Sequence, residues 1–462
     1  MKRKMICTAA AAMFLLTCGC SEPTYDGFSV PEQEKSTLQP VGDLTTGNCY
    51  EGIEPTAEPT KAEFSSADGL CVIRQKTHYY DITLDLTQGD HFAAGKAYAE
   101  AILKAIPDYR VLMDGYLHEN IRVAFPETKN DDVYDILIKR VDALTDALQK
   151  DYREELRGFA DVMADAEKPF ADDGMISEYE ANLLHMVPDI LRTTACSAIS
   201  ADGSRTASGK RLSARLLEWD LGKGNKMCSA HCVLHLENGD SSLISVTSVG
   251  LLDVITGINQ NGVFAGDLDV GSYDTEYTAE GKSSYSFAMR EGLETCSTAR
   301  EFGAFITADA ERYPYAHNVF ITDAEDAFVA ENCVSPNEGS AVLRDADTPL
   351  CKGVEWDAEG CICAVNSFVS ADLPEFMTIN ENNIVRWEKY NKLFATDEKL
   401  TVSRFKDLLT SEQTDTSLVN IRSDGLVFLL IADYDTNRIQ AAFTTTDGVT
   451  DTPEFSDLGS FR

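Results

Sequence analysis

The chain has 462 residues, 44% hydrophobic and 25% charged, which is enough apolar material for one large folded body with appendages. Its 76 acidic residues outnumber 40 basic ones, for a formal charge of −36. So acidic a chain with no basic stripe repels phosphate backbones, which excludes nucleic acid as a partner.

The first twenty residues read as an address. Lys2, Arg3 and Lys4 precede an apolar run from Met5 to Leu16 that is too short to cross a bilayer. Thr17-Cys18-Gly19-Cys20 resembles the cleavage box of bacterial lipoproteins, in which the final cysteine is lipidated. That resemblance implies export to the cell surface or periplasm of a bacterium, with Cys20 carrying a membrane anchor. Plain secretion is the alternative. Residues 21–66, rich in Pro, Thr, Ser, Glu and Gly, read as a flexible tether.

A strand-like stretch, Cys71 to Leu86, opens the body, and residues 67–195 then read as a helical pre-segment. Phe92, Gly95, Ala99, Ile102 and Ile106 mark one helix face, with small residues where a neighbour packs closely. Val133, Ile136, Leu137, Val141, Leu144 and Leu148 mark a second face, and Tyr152, Leu156, Phe159 and Met163 a third. Ser177 with Glu180 forms a capping box for a fourth helix through Leu183, Leu184 and Val187. His91, His118 and His185 fall in helical segments and are expected at the core edge or surface.

At Thr193 the pattern changes to strand and turn. Strands are expected at 196–200, 211–217, 232–236, 243–248, 254–259 and 263–268, the last after an Asn261-Gly262 turn. Helices are expected at Thr298–Ile306, at Ile384–Phe394 and after Thr401, and two closing strands at 426–432 and 438–444. This order predicts an α+β fold of helices covering stacked sheets.

Thirteen cysteines include ten beyond Cys20, whose spacings fix no disulfide connectivity. Cys228, His231, Cys232 and His235 offer soft ligands for zinc. A strand there would turn alternate residues to opposite faces, and no second ligand pair has matching spacing. No metal and no cofactor are expected.

The informative stretch is Ala195-Cys196-Ser197, a turn, then Arg215-Leu216-Leu217-Glu218-Trp219. Alternation puts Arg215 and Leu217 on one strand face and Glu218 on the other, so strand geometry alone does not gather both charges at Cys196. Read in isolation, Cys196 is a small buried hydrophobe. The hairpin nonetheless resembles the start of the catalytic chain of cysteine N-terminal-nucleophile (Ntn) hydrolases. This superfamily includes choloylglycine hydrolases, acid ceramidase, N-acylethanolamine amidase and the acyl-CoA:6-aminopenicillanate acyltransferases. Gly257-Ile258-Asn259-Gln260-Asn261-Gly262-Val263, Val365-Asn366-Ser367-Phe368 and Arg386-Trp387-Glu388-Lys389-Tyr390 resemble later family segments. Gly89 to Gly95 and Glu155 to Ala160 resemble the helical chain of the acyltransferase branch.

The resemblance implies a four-layer αββα sandwich over residues 196–462, preceded by the helical pre-segment. It also implies self-cleavage between Ala195 and Cys196 and attack by Cys196 on linear amides of a small N-acyl substrate. Arg215 would stabilise the thiolate, Glu218 orient the new α-amine, Asn366 donate to the oxyanion and Arg386 anchor the network. Glu218 stands where the family has Asp. Asp269 falls where some members have a second oxyanion Asn, and a carboxylate serves there only when protonated. Two readings compete: an inactive surface-binding lipoprotein that keeps the fold, and a thiol acyltransferase that uses an activated acyl donor and shares every catalytic residue.

Overall fold

The computed structural model describes residues 44–125, 130–191, 195–270, 277–334, 340–373, 381–413, 422 and 425–462. The expected signal segment and the expected lipidation site Cys20 lie outside them, as do Thr193 and Thr194 just before the expected cleavage point. Among the described residues, no helix is long and apolar enough to cross a membrane.

In chain order, strands β1 (Leu44–Thr45), β2 (Ala62–Ser65), β3 (Cys71–Gln75) and β4 (Tyr80–Asp85) come first. Six helices follow: α1 (His91–Ala105), α2 (Tyr109–Ala124), α3 (Asn130–Ala147), α4 (Lys150–Met163), α5 (Glu178–Leu184) and α6 (Val187–Leu191). Strands β5 (Ala195–Ala201), β6 (Leu212–Glu218), β7 (His231–Glu237), β8 (Leu243–Ser248), β9 (Thr256–Asn259) and β10 (Phe264–Asp269) lead to helices α7 (Tyr285–Thr295) and α8 (Ala299–Thr307). Then come β11 (His317–Thr322), β12 (Ala327–Cys333), β13 (Ser340–Arg344) and β14 (Cys361–Val365), and helices α9 (Glu381–Phe394) and α10 (Val402–Thr410). Strands β15 (Glu412–Gln413), β16 (Leu426–Asp433), β17 (Arg438–Phe443) and β18 (Ser456–Ser460) close the chain.

A ten-stranded sheet runs β13-β12-β11-β10-β9-β8-β7-β4-β3-β2, and a six-stranded sheet runs β14-β5-β6-β16-β17-β18. Three apolar cores order the layers. The first joins α1–α8 to one face of the large sheet, through residues such as Tyr98, Leu137, Leu156, Phe302, Ile82 and Val319. A second lies between the sheets, where Cys196, Ala198 and Leu217 meet Val233, Phe264 and Phe320. In the third, Ile199, Leu216 and Leu429 of the small sheet pack on Trp387, Tyr390 and Phe405 of α9 and α10. The result is the expected αββα stack, which buries both faces of both sheets.

Local chemistry explains the elements that the sequence predicts. Ser177 Oγ accepts from the Glu180 amide while Glu180 Oε2 takes the Ser177 amide at 2.8 Å, so the capping box forms. Its helix ends at Leu184 rather than continuing through Val187, where α6 begins anew. Thr298 and Thr401 cap α8 and α10.

One boundary differs from expectation. The described part of the expected tether is packed on the body: Tyr50 is buried, Cys49 N–H donates to Asp407, and β2 forms the edge of the large sheet. The pre-segment also shares that sheet with the residues that follow it. Its β4 pairs in parallel with β7, so residues on both sides of position 195 share one sheet. Helix α2 and strands β11–β13 were not expected. The buried strands β11 and β12 show continuous apolar runs without alternation, because both faces are covered.

Candidate active site

Strands β5 and β6 form the central hairpin of the small sheet. In register, Ala195 faces Glu218, Cys196 faces Leu217 and Ala198 faces Arg215. Alternation then divides the side chains. Cys196 and Arg215 point between the sheets, whereas Ser197 and Glu218 point toward α9.

On the inner side, Arg215 Nη2 lies 3.3 Å from Cys196 Sγ. The guanidinium is held against the large sheet: Nε donates to Thr256 Oγ1 at 2.9 Å and Nη2 to the Asp267 carbonyl. It passes over Gly266, where no side chain stands in its way. The thiol also donates to the Glu218 carbonyl, 3.9 Å away. Burial raises the Cys196 pKa above the ordinary thiol value, and the Arg215 charge opposes that rise. In the uncut chain the sulfur is therefore a neutral, enclosed thiol beside a fixed cation.

On the outer side, Arg386 of α9 is a hub. Nη1 donates to Glu218 Oε2 at 2.8 Å and to the Cys196 carbonyl at 3.0 Å. Nη2 donates to Asn366 Oδ1 at 2.9 Å and to Asn383 Oδ1 at 2.7 Å. Asn366 Oδ1 also accepts the Cys196 amide at 2.5 Å, and Asn366 Nδ2 donates to the Asp269 carbonyl at 2.7 Å. The amide orientation of Asn366 follows from its partners, because guanidinium can only donate and a carbonyl can only accept.

All five expected catalytic residues thus meet around Cys196, and all are buried. The side chain that takes the peptide nitrogen of Cys196 is Asn366, while Glu218 accepts from Arg386, which in turn holds Cys196 and Asn366. The main-chain carbonyl of Asp269 supports Asn366. Thr256, Asp267, Gly266 and Asn383 were not expected. Only Asn383 carried a readable hint, since it lies three residues before Arg386 on the same helix face.

An apolar cavity of about 60 Å³ lies next to this group. Leu217, the cross-strand partner of Cys196, lines it with Ile255, the neighbour of Thr256. Tyr109, Met113 and Tyr116 of α2 and Leu184, Val187 and Pro188 of α5–α6 complete the lining, so the pre-segment supplies about a third of the wall.

The zinc alternative does not assemble. His231 Nε2 bonds the Thr444 carbonyl at 2.7 Å, His235 faces Asp81, and Cys232 points into the core beneath the helices. Two of the three helical histidines differ from expectation: His118 and His185 are buried, whereas His91 lies at the core edge, partly exposed and bonded to the buried Glu155.

No family model matches the chain, and no curated protein matches it. Among solved structures, it is similar to a Caenorhabditis elegans N-acylethanolamine-hydrolyzing acid amidase ortholog. Identity is 15% and the TM-score 0.35, over 51% of this chain and 92% of that one. It is also similar to a mutant of conjugated bile acid hydrolase from Clostridium perfringens, at 11% identity and a TM-score of 0.34, over 57% and 92% of the two chains. A second variant of the latter enzyme gives 14% identity and a TM-score of 0.32, over 54% and 89%.

Proposed function

We propose that this chain is an Ntn-type cysteine amidohydrolase that activates itself by cutting before Cys196. The observation that carries this reading is the pairing of Cys196 Sγ with Arg215 at 3.3 Å while the nitrogen of the same residue sits 2.5 Å from Asn366.

In the activation step, Sγ attacks the Ala195 carbonyl. The peptide C–N bond breaks and the proton passes to the departing nitrogen, leaving a thioester on sulfur and a free α-amine on Cys196. Water then hydrolyses the thioester to a carboxylate on Ala195 and a free thiol. The new amine has an ordinary pKa of about 7.7–8.0, suited to general-base work near neutrality. It takes the thiol proton while Arg215 steadies the thiolate. The thiolate adds to the acyl carbon of an N-acyl substrate, and the second N–H of Asn366 donates to the oxyanion, a contribution of about 3–4 kcal/mol. Collapse expels the amine, protonated by the α-ammonium, and water releases the acid from the acyl-enzyme. An amine acceptor in place of water would make the enzyme an acyltransferase. The cavity walls are apolar, so a small apolar acyl group is the favoured substrate part.

The test is intact mass and a denaturing gel on purified protein. Two chains, the larger beginning at Cys196, and one uncut chain for Cys196→Ala are expected. A wild type that stays whole and takes up no thiol-directed acylating probe would leave the inactive surface-binding protein as the better account.

A further inference from the structure

We infer that Asp114, His118 and Glu180 form a structural divalent-metal site, of the zinc type, inside the pre-segment. This inference does not depend on Cys196 being a nucleophile, and it departs from the sequence expectation of no metal.

Asp114 and His118 stand one turn apart on α2, and Glu180 lies on α5. All three are at most 2% exposed. His118 Nε2 is 3.4 Å from Asp114 Oδ1 and 3.4 Å from Glu180 Oε1, and the three atoms lie within 4.8 Å of one another. Among the described residues, none of these three atoms has a hydrogen-bond partner. The outer oxygens, in contrast, are fully engaged. Asp114 Oδ2 accepts the Gly174 amide at 2.7 Å, and Glu180 Oε2 accepts Ser177 N–H and Oγ–H at 2.8 and 2.6 Å. Each carboxylate is therefore oriented by one oxygen and presents the other, bare, to a common point.

Burying two carboxylates costs several kcal/mol per ion unless a cation compensates. Protonated His118 could supply charge, but its Nε2 makes no aligned bond to either oxygen. A metal at the centre satisfies all three atoms at once. In a tetrahedral site with metal–ligand distances of about 2.1 Å, ligand atoms stand about 1.6 times that far apart, or about 3.4 Å. The two separations from His118 Nε2, each 3.4 Å, match this edge. One imidazole with two carboxylates suits zinc or a similar transition ion. Calcium and magnesium prefer more numerous oxygen ligands. Anchored outer oxygens are the orientation device that such sites use.

The site would tie α2 to α5 and, through Gly174, to the loop before α5. Those helices carry Tyr109, Met113, Tyr116 and Leu184, the wall of the cavity beside Cys196. A bound ion would thus hold the shape of the substrate wall without touching the reaction.

The experiment uses the full chain, stripped with a chelator and dialysed. With Zn2+ as the probe, one equivalent should be retained and the melting temperature should rise. Asp114→Asn, which keeps an oxygen for Gly174, should bind at least about tenfold more weakly. Co2+ on the wild type should give the intense visible bands of a tetrahedral site, absent from Asp114→Asn and from His118→Gln. The Co2+ spectrum stands even if a variant folds poorly. Zinc uptake no greater in wild type than in Asp114→Asn would overturn the assignment. So would a Co2+ spectrum showing only thiolate charge-transfer bands, or equal displacement of zinc by Ca2+.

Discussion

Gly266 and Arg215 occupy space that only glycine leaves open: a Cβ built on Gly266 would lie 2.1 Å from Arg215 Cδ and 2.7 Å from Nε. The guanidinium reaches Cys196 because β10 is bare at the point where Arg215 crosses from one sheet to the other. Gly266→Ala should therefore push Arg215 off the sulfur without altering any polar group. Loss of one such fixed charge corresponds to about 10²–10³ in the acylation rate. Burst kinetics with a thiol-acylating substrate would measure it, and an unchanged rate in a folded variant would show that Arg215 does not act on Cys196.

Glu218 and Arg386 are both nearly inaccessible, at 2% and 1% side-chain exposure, and their ion pair spans 2.8 Å. Removing the charge of one partner leaves the other uncompensated. Glu218→Gln should lower stability by about 3–5 kcal/mol. The paired change Glu218→Gln with Arg386→Met should recover part of that loss, because the stranded cation is gone. Urea denaturation of the four proteins gives the coupling, and strict additivity would argue against the pair.

Helices α1 and α4 cross backbone to backbone. A Cβ on Gly95 would sit 2.0 Å from the Glu155 carbonyl oxygen, and one on Gly158 2.0 Å from that of Phe92. In an exposed helix Gly→Ala adds about 0.5–1 kcal/mol of stability. Here Gly95→Ala should instead cost about 1–3 kcal/mol by overpacking. A melting temperature above wild type would contradict the crossing.

Burial pushes His231 down to about 4, against an ordinary value of 6.5, while its Nε2 bonds the Thr444 carbonyl. The unfolded chain binds a proton below 6.5 and the folded chain does not until about 4, so stability from this group is lost as pH falls through that window. At pH 5 the loss is about 2 kcal/mol. Asp189, which burial raises to about 6, works in the opposite sense, its contribution vanishing as pH rises toward 6. The difference between wild type and His231→Gln isolates the histidine. Chemical denaturation at pH 7 and pH 5 should show the variant gaining about 2 kcal/mol relative to wild type at the lower pH. Parallel pH curves would refute the shift.

What depended on near neighbours could be read from the chain alone. The helix stripes at 92–106, 133–148 and 152–163 and the Ser177–Glu180 cap are interactions over a few residues. Strand alternation likewise assigned Arg215 and Glu218 to opposite faces, which the register confirms. The family-like segments around Asn366 and Arg386 named the residues that gather at Cys196.

The relations between those residues required the fold. Asn366 lies 170 residues from the amide it accepts and Arg386 190 from the carbonyl it holds. Only the pairing of β14 with β5 and the packing of α9 on the small sheet bring them there. The resemblance assigns Glu218 to the new amine, and no local rule shows that α9 would set the Arg386 guanidinium against both Glu218 and the Cys196 carbonyl. The triad of Asp114, His118 and Glu180 divides in the same way. Its first two members share a helix face by spacing alone, whereas Glu180 joins them only where α5 packs on α2. Backbone geometry sets which side of an element a side chain leaves from; what it then meets is decided by burial of apolar surface between elements far apart in the chain.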